Sequence, residues 1–191
     1  DSDGLLWGVD PHTWLLDSTC MKLDIHFPVD WVLLKDCVKS IMQSIIHIRK
    51  YGIKYRISNP ESFLSQVNKL SMEMTNTSKR SGSKKARKTT FRKIEKLLKK
   101  VADHGRRYSA SLEEQWEESD LSEGQKNQII HKLHHTLDLV PDVIFQAHER
   151  IIGDRQVDNS IKILSIHEEH AQVYNRGKAG AQVEFGLQLL L

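Results

Sequence analysis

From Asp30 to Gly153 the chain returns to apolar residues at spacings of three and four, and on either side of that block the period drops to about two. A period near 3.6 lays apolar residues on one face of a helix, whereas alternation lays them on one face of a strand. A helical block of about 130 residues between strands argues for an α/β domain carrying a helical insertion rather than two domains in series.

Taken in order, the run from Thr13 to Ile25 suits a strand in which Leu15, Asp17 and Thr19 share a face, with Pro28 ending it. Asp30 stands where an N-cap would, ahead of a helix carrying Leu34, Val38, Ile41, Ile45 and Ile48 and closed by Gly52. Ser58-Asn59-Pro60 opens a second helix with Phe63, Leu64, Val67, Leu70 and Met74. After a polar join at 78–83 comes a basic helix with Phe91, Ile94, Leu97, Leu98 and Val101, for which Asp103-His104-Gly105 reads as the end. A further helix is expected from Ser109 or Ser111 with Trp116 buried, and another from Ser122; Pro141 should interrupt before a last stretch reaches Gly153. Strands are expected at Ile161–His167, at Ala171–Asn175 and, beyond a turn at Gly177, Lys178 and Gly180, from Gln182 to Leu191. The boundaries that follow are 1–30 for the first strand region, 31–157 for the helical insertion and 158–191 for a β-hairpin.

Net charge is only +3, but its distribution is uneven. Between Lys79 and Arg107 a dense set of lysines and arginines is opposed only by Glu95 and Asp103, and the sign then reverses from Glu113 to Glu123. Such segregation suits a surface that faces a polyanion. Lys84, Lys85, Arg87, Lys88, Arg92 and Lys93 are the candidates for phosphate contacts, and no base-reading pattern accompanies them.

The remaining chemistry is sparse. Cys20 and Cys37 are too few for a disulfide framework and read as small core residues, which points to a reducing, cytoplasmic setting. No apolar run approaches the ~20 residues of a membrane span. His131, His134 and His135 lack Cys or Glu partners at a zinc spacing and read as helix-surface histidines. Arg176-Gly177-Lys178-Ala179-Gly180 is too short for a phosphate loop and reads as a turn. Asp17, at the end of the apolar run Trp14-Leu15-Leu16, is a carboxylate that burial would oblige to find a cation, a donor or a metal.

Several separated stretches together resemble bacterial insertion-sequence DDE transposases. They are Asp17-Ser18-Thr19, His26-Phe27-Pro28 with Asp30, Ala147-His148-Glu149-Arg150-Ile151-Ile152-Gly153, Lys162-Ile163-Leu164-Ser165-Ile166-His167-Glu168, and Arg176-Gly177-Lys178-Ala179-Gly180 with Val183-Glu184-Phe185-Gly186. The resemblance implies a mixed α+β, ribonuclease H-like fold with the helical insertion after its first strand. It makes Asp17 the first catalytic and metal-binding acid, with the second Asp and the Glu expected beyond Leu191, so the chain reads as cut short. Asp24 stands where related sequences carry Asn, and strand parity sets it opposite Asp17. The activity implied is strand cleavage and transfer at the DNA ends of an insertion sequence, by two Mg2+ ions that clamp the attacking and leaving oxygens. One acid holds Mg2+ weakly, so this chain alone is expected to be inactive. The partner implied is DNA in the nucleoid, with self-association left open. A non-catalytic DNA-binding helical protein is the alternative, and a decayed gene product a third.

Overall fold

A computed structural model describes residues 18–22, 29–56, 59–78, 82–168, 170–178 and 181–190. The chain is of mixed class, mostly helical with a small antiparallel sheet, and it divides into a helical unit and a strand unit.

The helical unit holds α1 (Asp30–Lys50), α2 (Pro60–Ser78), α3 (Lys84–Gln115) and α4 (Glu123–Ile151). α1 and α3 each pack on the other three helices, with α2 and α4 on opposite flanks. Two pairings in each case show that α1 runs antiparallel to α4, through Asp30 with Arg150 (3.2 Å) and Ser40 with Thr136 (2.8 Å), and α2 to α3, through Phe63 with His104 and Glu73 with Thr90 (2.7 Å). The core is built from the expected apolar stripes, with Leu34, Val38, Ile41, Ile45, Phe91, Ile94, Leu98 and Leu133 fully buried. α1 ends where Gly52, at φ +88°, takes the left-handed conformation that follows many helices. α4 starts after Ser122, as expected, and a capping box between Ser122 and Gln125 fixes that start.

Three expected breaks are absent. α3 does not end at Asp103-His104-Gly105, and no new helix starts at Ser109 or Ser111. Gly105 lies inside the helix because α1 comes close there: a Cβ would sit 2.9 Å from Ile41 Cγ2 and 3.3 Å from Leu137 Cδ2. Trp116 falls in a single 3-10 turn after α3 and is half-buried, with the Lys126 ammonium 4.2 Å from its ring centroid. Pro141 does not interrupt α4. Its ring removes one backbone hydrogen bond, but Pro141 is solvent-exposed while Val140 and Val143 beside it are buried, so packing carries the helix through.

Asp30 is not the cap of α1. Val29 occupies that position, and Asp30 is the first helical residue, buried beneath α4. There it accepts from Gln146 Nε2 (3.1 Å) and pairs with Arg150 Nη1 (3.2 Å). Gln146 also bonds both backbone groups of Ile163, accepting from its N–H (2.8 Å) and donating to its carbonyl (3.2 Å). His135 meets the carbonyl of Ile166 at 3.0 Å. Ile161–His167, expected as a strand, is therefore an irregular segment along α4 that buries Leu164, Ser165 and Ile166. Its burial does not follow the alternation, since Leu164, Ser165 and Ile166 are buried in succession while Ile161 is exposed, and Gln146 rather than a neighbouring strand bonds the backbone of Ile163.

In the strand unit, β1 (Ser18–Lys22), β2 (Gln172–Lys178) and β3 (Ala181–Leu190) form a three-stranded sheet in the order β1-β3-β2. Both pairings are antiparallel, and β1 covers the half of β3 from Gly186 to Leu190. The register with β2 shifts between Asn175 and Lys178.

Candidate nucleic-acid interface

Successive residues on a helix turn by about 100°. On α3 this gathers the apolar residues and Gly105 on the side facing α1, and on the opposite side sets Lys85, Arg92, Lys93, Lys96, Lys99, Lys100 and Arg107, all exposed, together with Asp103, which Arg106 pairs. From Lys85 to Arg107 the stripe is about 33 Å long at 1.5 Å per residue.

The six residues proposed from sequence do not behave alike. Lys84 is ion-paired with Asp154, and it holds that carboxyl below the usual carboxylate range, with smaller help from the charges of Lys88 and Arg87. Lys88 Nζ donates to the carbonyl of Ile152 (2.9 Å), placing a cation at the C-terminus of α4. Arg87 is half-buried. Lys85, Arg92 and Lys93 are exposed and make no ion pair among the described residues; the same holds for Lys96, one turn further on. Beyond it, Lys99 bonds Glu95 (2.7 Å), Lys100 lies 5.3 Å from the Phe63 ring centroid, and Arg107 lies 5.9 Å from that of Tyr55. The exposed core of the candidate interface is thus Lys85, Arg92, Lys93 and Lys96.

A second cationic area was missed in the sequence. His47, Arg49, Lys50, Lys54 and Arg56 fall within ten residues with no acid between them. The signal lay hidden because Ile45 and Ile48 set the helical reading there, and basic residues in a last turn already have a role against the helix dipole.

Other chemistry is limited. His134 Nε2 and the Ser109 hydroxyl are 2.7 Å apart. Ser109 is buried in mid-helix, where the backbone N–H groups are committed to the helix and offer no oxyanion site, so the pair serves packing between α3 and α4. Burial pushes the Cys37 thiol up to about 12, which removes it as a nucleophile. Asp17 lies outside the described residues. Among the described residues no group of three or more His, Cys, Asp or Glu is arranged to hold a metal ion, so they do not fit a Mg2+ centre, and the three α4 histidines form none. Among them, too, no helix is long and apolar enough to cross a membrane. No protein-family model, curated protein or solved structure matches the chain.

Proposed function

We propose that the chain is a DNA-binding part of an insertion-sequence DDE transposase, and that the outward face of α3 seats the phosphate backbone of a duplex. The observation that carries this reading is the exposed set Lys85, Arg92, Lys93 and Lys96 on one helix face, which makes no ion pair among the described residues. A rigid helix holds these cations at fixed intervals, and each phosphate they neutralise releases counterions. Nothing in the set is shaped to read base edges, so binding is independent of sequence.

In this proposal the three strands belong to a ribonuclease H-like sheet and Asp17 is its first acid. The chain itself then binds DNA without cutting it, and no step through a metal ion is assigned to it. A second reading, a DNA-binding helical protein with no catalytic parent, draws support from the helical unit's self-contained core. Fluorescence anisotropy with a labelled duplex across a salt series tests the binding. Affinity should fall steeply with salt, and Arg92→Gln/Lys93→Gln/Lys96→Gln should flatten that dependence; an unchanged salt slope sinks the proposal. Mg2+-dependent nicking by the purified chain, abolished by Asp17→Ala, would overturn the claim that it does not cut.

A further inference from the structure

α1 and α4 leave a long groove on the side of the helical unit away from the outward face of α3. Its upper half is filled: Leu164, Ser165 and Ile166 are buried in it, held by Gln146 and His135. Its lower half is an open cavity of about 510 Å3, rimmed by Gln43, His47, Lys50, Gln128 and Lys132. No carboxylate lines it, and its apolar floor is confined to Ile46 and Ile129. Across the ridge of α1, Lys50 also borders a second cavity of about 500 Å3, together with Arg49, Asn59 and Glu61.

The two halves differ in what they can hold. The filled half takes an extended peptide by burying aliphatic side chains and pairing backbone with Gln146. Among the described residues the open half has no buried chain segment in it, and above its apolar floor it carries a rim of ammonium, imidazole and amide donors with no carboxylate, a charge that complements a row of phosphates.

We infer that this rim is a second site for a nucleic-acid backbone, so that one chain holds two duplexes, one on α3 and one on the α1–α4 groove. The inference rests on the proposed duplex binding by α3. α1 and α3 pack against each other and turn their exposed faces in opposite directions, so two duplexes occupy the unit without sharing a surface.

The test is a bridging assay in which an immobilised duplex captures a fluorescent second duplex only when the full chain is present, run beside anisotropy with a single duplex. The wild-type chain should bridge. Lys50→Glu/Lys132→Glu should keep single-duplex affinity within about twofold while bridging falls at least about tenfold. Lys50→Gln/Lys132→Gln, with helicity checked by circular dichroism, gives the milder version should the charge reversal disturb folding. Single-duplex binding without bridging overturns the inference and leaves the α3 reading intact, whereas no duplex binding at all removes both. Bridging that survives in both variants and tracks protein dimerisation in sedimentation also overturns it. So does displacement of the second duplex from the groove by a polyglutamate peptide but not by excess unlabelled duplex, which would assign the groove to an acidic peptide.

Discussion

α1 and α3 meet the same packing demand, since each lies against the other three helices, yet their outer faces differ. α1 shows solvent a mixed ridge that includes Lys35, Asp36, Lys39 and Gln43, whereas the exposed set from Arg92 to Arg107 on α3 is cationic apart from Asp103, which Arg106 pairs. Packing therefore does not account for the charge on α3. A helix in that position needs one apolar side and asks of the other only that it be soluble, as α1 demonstrates. In the proposed function that surplus of cations serves the duplex rather than the fold.

The strongest way to break the symmetry of the two helices is at their closest approach. Gly105→Leu should destabilise the chain by about 3 kcal/mol in urea unfolding, because Ile41, Leu133 and Leu137 occupy the space it needs. Gly124→Ala, with nothing within 4 Å of the new methyl, should be neutral or stabilise by about 0.5 kcal/mol. Equal effects at the two glycines would mean the α1–α3 contact is not tight.

Next comes the start of α1. Arg150→Ala leaves the buried Asp30 carboxylate with the Gln146 amide and should cost about 2 kcal/mol, less than a fully buried pair because Arg150 is itself half-exposed. A loss below about 0.5 kcal/mol would show that Asp30 is already satisfied without it.

On α3 the expected result is the reverse. Arg92→Gln/Lys93→Gln/Lys96→Gln should leave stability within about 0.5 kcal/mol while duplex affinity at low salt drops about tenfold and the salt slope falls by about 2 to 3. A large stability loss with unchanged binding would return these cations to the fold.

The smallest effect concerns His104, on the α2 side of α3, where its ring meets Phe63 edge-on at 5.6 Å. Burial lowers its pKa, and the Lys100 and Arg107 charges lower it further against the opposing pull of Asp103. The unfolded chain therefore takes up the proton first, so stability should decline as pH falls through the ordinary imidazole range and level off below the folded value. His104→Gln should flatten that part of the profile in thermal melts at a series of pH values, and an unaltered profile would show that another group sets it.

Much of the helical unit was legible in local signals: Pro60 as a first helical residue, Gly52 after a last one, Ser122 as the start of another. The misreadings share a cause, which is that the deciding partner is distant in sequence. Gly105 looks like a helix end until Ile41 is placed beside it, and the alternation at 161–167 looks like a strand until Gln146 takes its backbone. The candidate interface was half legible. The density of charge marked α3, but which cations are free depended on Asp154 and Ile152, near the end of α4, which occupy Lys84 and Lys88. The interrupted-domain reading came from the order of periods along the chain, and Asp17, the residue most tied to the transposase resemblance, lies outside the described residues.

The meeting of Asp30 and Ile163 at a single glutamine has a kinetic side. Lys22 and Gly186 are partners in the sheet, and closing that pair along the bare chain means closing a loop of about 160 residues. Once the helices are packed, Gln146 holds Asp30 and Ile163 together and the loop left to close is about 30 residues, which lowers the entropic cost by roughly 1.5 kcal/mol. The helical unit then acts as a clasp that shortens the search of strands lying far apart in the sequence, and a substitution at Gln146 would slow sheet formation without touching a strand.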